Sequence, residues 1–124
     1  MRLSAESLSR KILSADAAIL RVLIIDEEGK ELAHVYSKEL PKRARLGKKA
    51  EEMVAGRDVL ALGMFQQEEE SLYGSMDFIL LAYKKTKVML MYSKKHRVYL
   101  AARILRSGNV EYLHTKIEQV LKQS

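Results

Sequence analysis

The chain has 124 residues, no cysteine and a formal net charge of +6, and this length fits one domain spanning residues 1–124. The lack of cysteine excludes disulfides, thiolate metal sites and a cysteine nucleophile, and it favours a reducing compartment. No run approaches the roughly 20 apolar residues of a membrane span, and Met1–Glu6 does not resemble a secretory signal. We therefore expect a single cytoplasmic domain.

The positive charge is compatible with an acidic protein partner, an anionic membrane surface or nucleic acid, and equally with solubility alone. Tryptophan is absent, and most of the tyrosines fall in predicted strands or helices. Few aromatic rings are therefore left to stack on single-stranded bases. This pattern disfavours a nucleic-acid partner.

The first part of the chain predicts a helix followed by a β-hairpin. Ser4 can cap a helix that runs to about Ser14, because its hydroxyl can accept from a free backbone N–H. The stretch Ala17–Ile25 is apolar apart from Arg21, which is typical of a strand that is buried on both faces. A polar turn then leads to a more charged second strand at Lys30–Ser37.

A long helix is predicted next, from about Ala44 to Gln67, because apolar residues recur there at helical spacing. Gly56 and Gly63 would weaken its interior by about 1 kcal/mol each relative to alanine, and close packing at these positions would compensate. The alternative is a kinked or interrupted helix. Arg57 interrupts the apolar row, either as an interface or ion-pair residue or as an arginine whose stem packs while its head reaches water.

A polar loop from Glu68 to Ser75 precedes the last part of the chain, which predicts a three-stranded meander and a final helix. The apolar runs that predict strands are Met76–Tyr83, Val88–Ser93 and Val98–Ile104. Short basic turns join them. Asn109 can then cap a helix whose buried stripe includes Leu113 and Ile117.

The predicted element order is helix, two strands, helix, three strands, helix. Since the strands are apolar on both pleat faces, helices are expected to cover both sides of the sheet. The sequence therefore predicts an α+β fold with a five-stranded antiparallel sheet and helices on both faces.

This element order resembles the roadblock and dynein light chain family and its profilin-like and longin relatives. The segment that runs from Met53–Arg57 through Met64–Phe65, followed by Gly74 and Phe78–Val88, is also similar to a group of small archaeal proteins with this architecture. The resemblance implies the strand order 2-1-5-4-3. It also implies a homodimer that scaffolds or regulates small GTPases or motor complexes through its surfaces, without a catalytic residue.

No pattern of residues indicates catalysis or a cofactor. The three histidines lie far apart, and none is expected to pair with another histidine or a carboxylate at the i, i+4 spacing of a metal-binding helix face. Those histidines are His34, His96 and His114. The acidic run Glu68–Glu70 lacks the ligand spacing of a calcium loop, and no phosphate loop or nucleophile elbow is present. We expect no enzyme activity, metal or cofactor.

Homodimerisation is predicted through the third strand and the long helix. In the roadblock order, Lys30–Ser37 and Met76–Tyr83 form the two edges, and only the second contains a long uncharged run, Phe78–Ala82. Left open, such an edge would promote aggregation, so a second copy is expected to pair with it about a two-fold axis. The predicted interface residues are Gly56, Arg57, Gly63, Phe78, Ile79 and Leu81. The alternative is a monomer whose 68–75 loop covers the edge.

The same topology predicts one basic end that suits an acidic partner. Its residues are Lys38, Lys42, Arg43, Arg45, Lys84, Lys85 and Lys87, opposed mainly by Glu39. At the other end the acidic turn at 26–28 is expected to meet the basic turn at 94–97 in weak exposed pairs.

Three functions follow from these predictions. The leading hypothesis is a non-catalytic, roadblock-like homodimer that acts as an adaptor or regulator of another protein, with a small GTPase as one partner class. The first alternative is a profilin-like sensor of a small molecule or lipid, for which a pocket lined by Tyr83, Tyr92 or Tyr99 would count as evidence. The second alternative is a binder of anionic surfaces or nucleic acid that uses the basic turns.

Overall fold

A computed structural model describes residues 4–45, 47 and 70–124 of the chain. Within these ranges the elements are α1 (Ala5–Ser14), β1 (Ile19–Asp26), β2 (Glu31–Tyr36), a 3₁₀ turn (Lys42–Ala44), α2 (Glu70–Tyr73), β3 (Ile79–Ala82), β4 (Thr86–Ser93), β5 (Val98–Leu105) and α3 (Val110–Gln123). No helix in these ranges is long and apolar enough to cross a lipid bilayer.

The five strands form one antiparallel sheet in the order β2-β1-β5-β4-β3. This order confirms the 2-1-5-4-3 topology that the resemblance implied. β1, β5 and β4 are the inner strands, and their side chains are mostly buried. β2 and β3 form the two edges, so the hairpin and the meander each contribute one edge strand.

Side-chain caps begin both of the longer described helices, as the sequence predicted. The Ser4 hydroxyl accepts a hydrogen bond from the Ser7 backbone N–H at 3.1 Å and starts α1. The Asn109 side chain accepts from the Tyr112 backbone N–H at 3.0 Å and starts α3. Each bond satisfies an N–H group that has no partner inside the helix.

Removing the Asn109 cap of α3 is expected to lower the stability of the protein measurably. Asn109→Ala should lower the free energy of unfolding by about 1 kcal/mol, because the Tyr112 N–H loses its side-chain acceptor. Asn109→Gly should cost only a few tenths of a kcal/mol, since glycine is itself an acceptable cap. Urea titrations of the three proteins test this, and equal losses for the two variants would contradict the capping role.

One face of the sheet, called the first face here, packs against α1 and α3. Leu8 and Ile12 from α1 and Leu113 and Ile117 from α3 meet buried strand residues in one continuous cluster. Those strand residues include Met89, Met91, Leu100, Ala102 and Ile104. Both helices present the apolar stripe that the sequence predicted.

The opposite face, called the second face, is also apolar and buried. Its cluster consists of Leu23, Ile25, Val88, Leu90 and Ala101, with Met76, Ile79, Leu81 and Tyr99 packed at its margin. The long helix that was predicted to cover this face lies outside the described residues, apart from positions 44, 45 and 47. Helices on both faces therefore stay a prediction, although the burial of this face agrees with it.

Several local predictions need correction. Ala44 ends a 3₁₀ turn and Arg45 is extended, so no long helix begins at Ala44. The Arg45 guanidinium donates to the Leu40 carbonyl from Nε and Nη2, at 3.2 and 3.1 Å, which stabilises this turn. The predicted loop after residue 68 contains the one-turn helix α2, and β3 spans only Ile79–Ala82.

Candidate functional site: the open sheet edge, the basic end and a polar cleft

β3 has an open edge in the sheet of described strands. The Tyr83 backbone N–H donates to the Thr86 carbonyl at 2.8 Å, which closes the hairpin between β3 and β4. Because hydrogen-bonded and non-hydrogen-bonded pairs alternate along an antiparallel ladder, Ile79 and Leu81 bond toward β4. The backbone groups of Leu80 and Ala82 consequently point away from β4, toward the open edge.

The predicted interface residues on β3 and just before it pack their side chains against the core. Ile79 and Leu81 are half-buried and pack against the second-face cluster. Phe78 packs on the first face, where its ring centroid lies 5.0 Å from that of His114. The other three predicted interface residues, Gly56, Arg57 and Gly63, lie outside the described residues.

Leu80 is a large apolar residue exposed on β3, and the sequence prediction did not include it. Its side chain is 37% exposed, on a strand with no charged residue. Leu72, Tyr73 and Tyr83, which lie just before and after β3 in the chain, are more exposed still. Strand alternation places Leu80 on the face opposite Ile79 and Leu81, but only the packing of the sheet shows which of the two faces is exposed at this edge.

The opposite edge strand, β2, is charged. Glu31 is exposed, and its Oε1 lies 3.3 Å from Nδ1 of His34. Charged side chains on an edge strand discourage pairing with another strand. The two edges therefore differ as the sequence indicated.

The basic end is assembled around Arg103. Its Nη1 donates to the Ala44 carbonyl at 2.7 Å, and its Nε donates to the Thr86 hydroxyl at 3.3 Å. The segment that carries Lys38 to Arg45 and the turn that carries Lys84 and Lys85 are thereby held at the same end of the sheet. Arg106, which follows β5 at this end, adds a cation that the sequence prediction missed.

The predicted basic residues divide into two groups. Five of them are exposed, namely Lys38, Lys42, Arg43, Lys84 and Lys85. The other two have structural partners: Arg45 stacks over the Tyr36 ring at 4.7 Å as well as binding Leu40, and Lys87 Nζ donates to the Gly108 carbonyl at 3.3 Å. Arg21, nearby on the second face, is buried.

At the other end of the sheet, two of the basic residues have partners in other elements. Arg97 Nε lies 3.0 Å from Glu27 Oε1, as predicted, whereas Lys95 donates to the Lys122 carbonyl near the end of α3. The Tyr92 hydroxyl donates to the second Glu27 oxygen at 3.2 Å. Burial and the Glu27 carboxylate raise the pKa of Tyr92 above its ordinary value.

A polar cleft of about 450 Å³ lies between the segment before β3, the end of β4 and α3. Its lining includes Asp77, Tyr92, His114, Glu118, Gln119 and Lys122. His114 Nε2 lies 3.6 Å from Glu118 Oε1, and it is buried without a hydrogen-bond partner among the described residues. The prediction that no histidine pairs with a carboxylate at i, i+4 spacing was therefore wrong, because α3 stacks these two residues one turn apart.

This histidine–carboxylate pair does not make a metal site in the described part of the chain. No cluster of three or more histidine, aspartate or glutamate side chains suited to a metal occurs among those residues. Phe78 contacts the His114 ring from the β3 side and restricts its position.

No protein-family model matches the chain, and no curated protein matches it. Solved structures do. A Roadblock/LC7 domain from Streptomyces avermitilis aligns over 98% of this chain and 94% of its own, with a TM-score of 0.73 and 9% identity. A structure described as MglB with tetrameric arrangement aligns over 94% and 82%, with a TM-score of 0.73 and 12% identity.

The gliding protein MglB from Thermus thermophilus gives a TM-score of 0.65 at 11% identity, over 95% of this chain and 88% of that one. At such identities the likeness shows a shared fold. It spans almost the whole chain, and it agrees with the strand order described above. The chain therefore has the roadblock-like fold that its element order predicted.

Proposed function

We propose that this chain is a non-catalytic adaptor or regulatory protein that works as a homodimer joined along β3. The observation that carries this proposal is the uncharged edge of β3, which has no further neighbour among the described strands and on which Leu80 is exposed. An edge of this kind invites pairing with another strand, and natural proteins usually block or cover it. The same strand of a second copy can pair with β3 about a two-fold axis, so that each edge covers the other.

The proposed dimer has a defined geometry. Antiparallel pairing of β3 with its copy places the two-fold axis perpendicular to the sheet, so the two sheets become one continuous sheet. The outward backbone groups of Leu80 and Ala82 would then find partners across the axis. The long helices are expected to pack side by side, with Gly56 and Gly63 allowing close approach and Arg57 near the axis or on the partner-facing surface.

The comparisons support an assembly function without identifying its partner. One of the similar structures is MglB in a tetrameric arrangement, so a protein with this fold does assemble with itself. For this chain, the adaptor function implies a second protein, and a small GTPase is the partner class that the resemblance implies. The exposed residues around β3 and the basic end are the surfaces available to such a partner.

The oligomeric state tests the proposal directly. Sedimentation velocity at micromolar concentration should give a single dimeric species, because pairing along β3 satisfies backbone groups that are otherwise exposed. The dimer should persist at high salt, since the edge carries no charge that ions could screen. A monomer that stays in solution at this concentration would contradict the dimer.

A second candidate function, sensing of a small molecule, is favoured by the polar cleft. Tyr92, one of the tyrosines predicted to line a sensor pocket, does line it. Since most of its lining residues are polar or charged, the cleft suits a small polar or zwitterionic molecule better than a lipid tail. A thermal-shift screen of amino acids tests this candidate: stabilisation that is lost in Glu118→Gln would support it, and no stabilisation would count against it.

A further inference from the structure

The basic end presents exposed apolar side chains among its cations. Tyr83 is 46% exposed and Leu105 is 44% exposed. Both flank Thr86, since Tyr83 donates its N–H to the Thr86 carbonyl and Leu105 is the cross-strand partner of Thr86 in β5. An apolar spot therefore lies where three strands end.

Exposed cations lie at the same end of the sheet as this spot. The exposed residues are Lys38, Lys42, Arg43, Lys84, Lys85 and Arg106. Within the described part of the chain, none of them has an ion pair or side-chain hydrogen bond to another residue, in contrast to Arg97 and Lys95 at the opposite end. Glu39 is the one acidic residue in the described segments that carry these six cations.

We propose that the basic end is a docking surface for an acidic protein segment that places an apolar side chain against Tyr83 and Leu105. Protein interfaces commonly combine an apolar centre that excludes water with a charged rim that orients the partner. Here the apolar spot supplies the centre and the cations supply the rim. Arg103 connects the 3₁₀ turn to the start of β4 through its two hydrogen bonds.

The structure favours a protein over a nucleic acid at this surface. Sequence-tolerant binding of single strands relies on several aromatic platforms for base stacking. Among the described residues of this end, Tyr83 is the exposed tyrosine, whereas Tyr36 is covered by the Arg45 guanidinium. One platform cannot stack a run of bases.

A membrane is disfavoured by an argument that rests on the proposed dimer. A two-fold axis perpendicular to the sheet sends the basic ends of the two copies in opposite directions along the strands. A flat bilayer can then contact only one of them, while two acidic protein segments can occupy both. The docking surface itself lies within one chain and does not depend on the dimer.

Fluorescence anisotropy with a fluorescein-labelled glutamate peptide that contains a central Leu-Leu pair tests the surface. Lys84→Glu should weaken binding to the full-length chain about tenfold, because it reverses a charge at the rim. Lys94→Glu makes the same change in the other basic turn, at the opposite end, and should alter affinity less than about twofold. Equal effects of the two variants would overturn the location of the site.

A second matched pair tests the apolar spot. Leu105→Ser should weaken peptide binding several-fold, whereas Leu32→Ser should not, although both leucines are 44% exposed. If Leu105→Ser has no effect, attraction between charges explains the binding and the proposal fails. Tighter binding to vesicles of phosphatidylcholine and phosphatidylserine, or to duplex DNA, at the same salt concentration would also overturn it.

The stoichiometry separates this proposal from the dimer. One peptide should bind per chain, whether sedimentation shows a monomer or a dimer. One peptide per two chains would mean that the site spans the two-fold axis, which contradicts the placement at the basic end. Loss of the dimer with retained binding would leave the docking surface intact and reject only the homodimer.

Discussion

Leu80→Lys should convert the dimer into monomers, whereas Leu32→Lys should leave it intact. Both leucines are exposed on edge strands of the same sheet, at 37% and 44%, but only Leu80 lies on the edge proposed to pair with a second copy. In the dimer, two substituted lysines would lie close to each other near the two-fold axis. Burying these unpaired charges should weaken association by about 100-fold or more.

The choice of Leu80 over Ile79 follows from the strand alternation. Ile79 belongs to the margin of the second-face cluster, so a lysine there would also disturb the core. Dissociation of that variant could then result from unfolding as well as from a broken interface. The exposed Leu80 side chain can be replaced by lysine in the monomer without burying a charge. Sedimentation velocity gives the oligomeric state, and circular dichroism shows whether each variant keeps its fold.

Two results would count against this interface. If Leu80→Lys remains dimeric, the chains associate through another surface. If Leu32→Lys also dissociates the dimer, the effect comes from added charge or altered folding rather than from β3. A folded, monomeric Leu80→Lys variant beside a dimeric Leu32→Lys variant is the outcome expected here.

The sequence predicted those features that depend on local physical chemistry. The cap at Asn109 and the apolar stripe of α3 are examples, because a single side chain and a 3.6-residue period determine them. The hairpin between β1 and β2 and the three strands of the meander were also predicted, with boundaries that shifted by up to three residues. The strand order required the family resemblance, since no local pattern specifies which strands are neighbours.

The features that the sequence did not predict depend on tertiary placement. Arg103 lies in an apolar strand, and its contacts with Ala44 and Thr86 join segments far apart in the chain. The polar cleft requires Asp77 and Tyr92 to meet α3 in space. The proximity of His114 and Glu118 could have been found from their spacing once the helix was assigned.

Leu90→Ala should destabilise the protein as much as Leu100→Ala, by about 2–5 kcal/mol. Each leucine serves as the control for the other, because both side chains are 1% exposed. They lie on adjacent inner strands, on opposite faces of the sheet. Leu100 lies under α1 and α3, so its truncation leaves a cavity in a core whose covering helices are described. Leu90 lies on the second face, which the long helix was predicted to cover.

The comparison of the two variants tests whether the second face is covered in solution. If the second face were open to water, shortening a leucine there would change the free energy of unfolding little. No cavity would form, and little buried apolar area would be lost. Urea unfolding of Leu90→Ala should therefore give a loss below about 1 kcal/mol if that face is open. A loss equal to that of Leu100→Ala would support helices on both faces of the sheet, which is the arrangement that the proposed dimer, with its long helices side by side, requires.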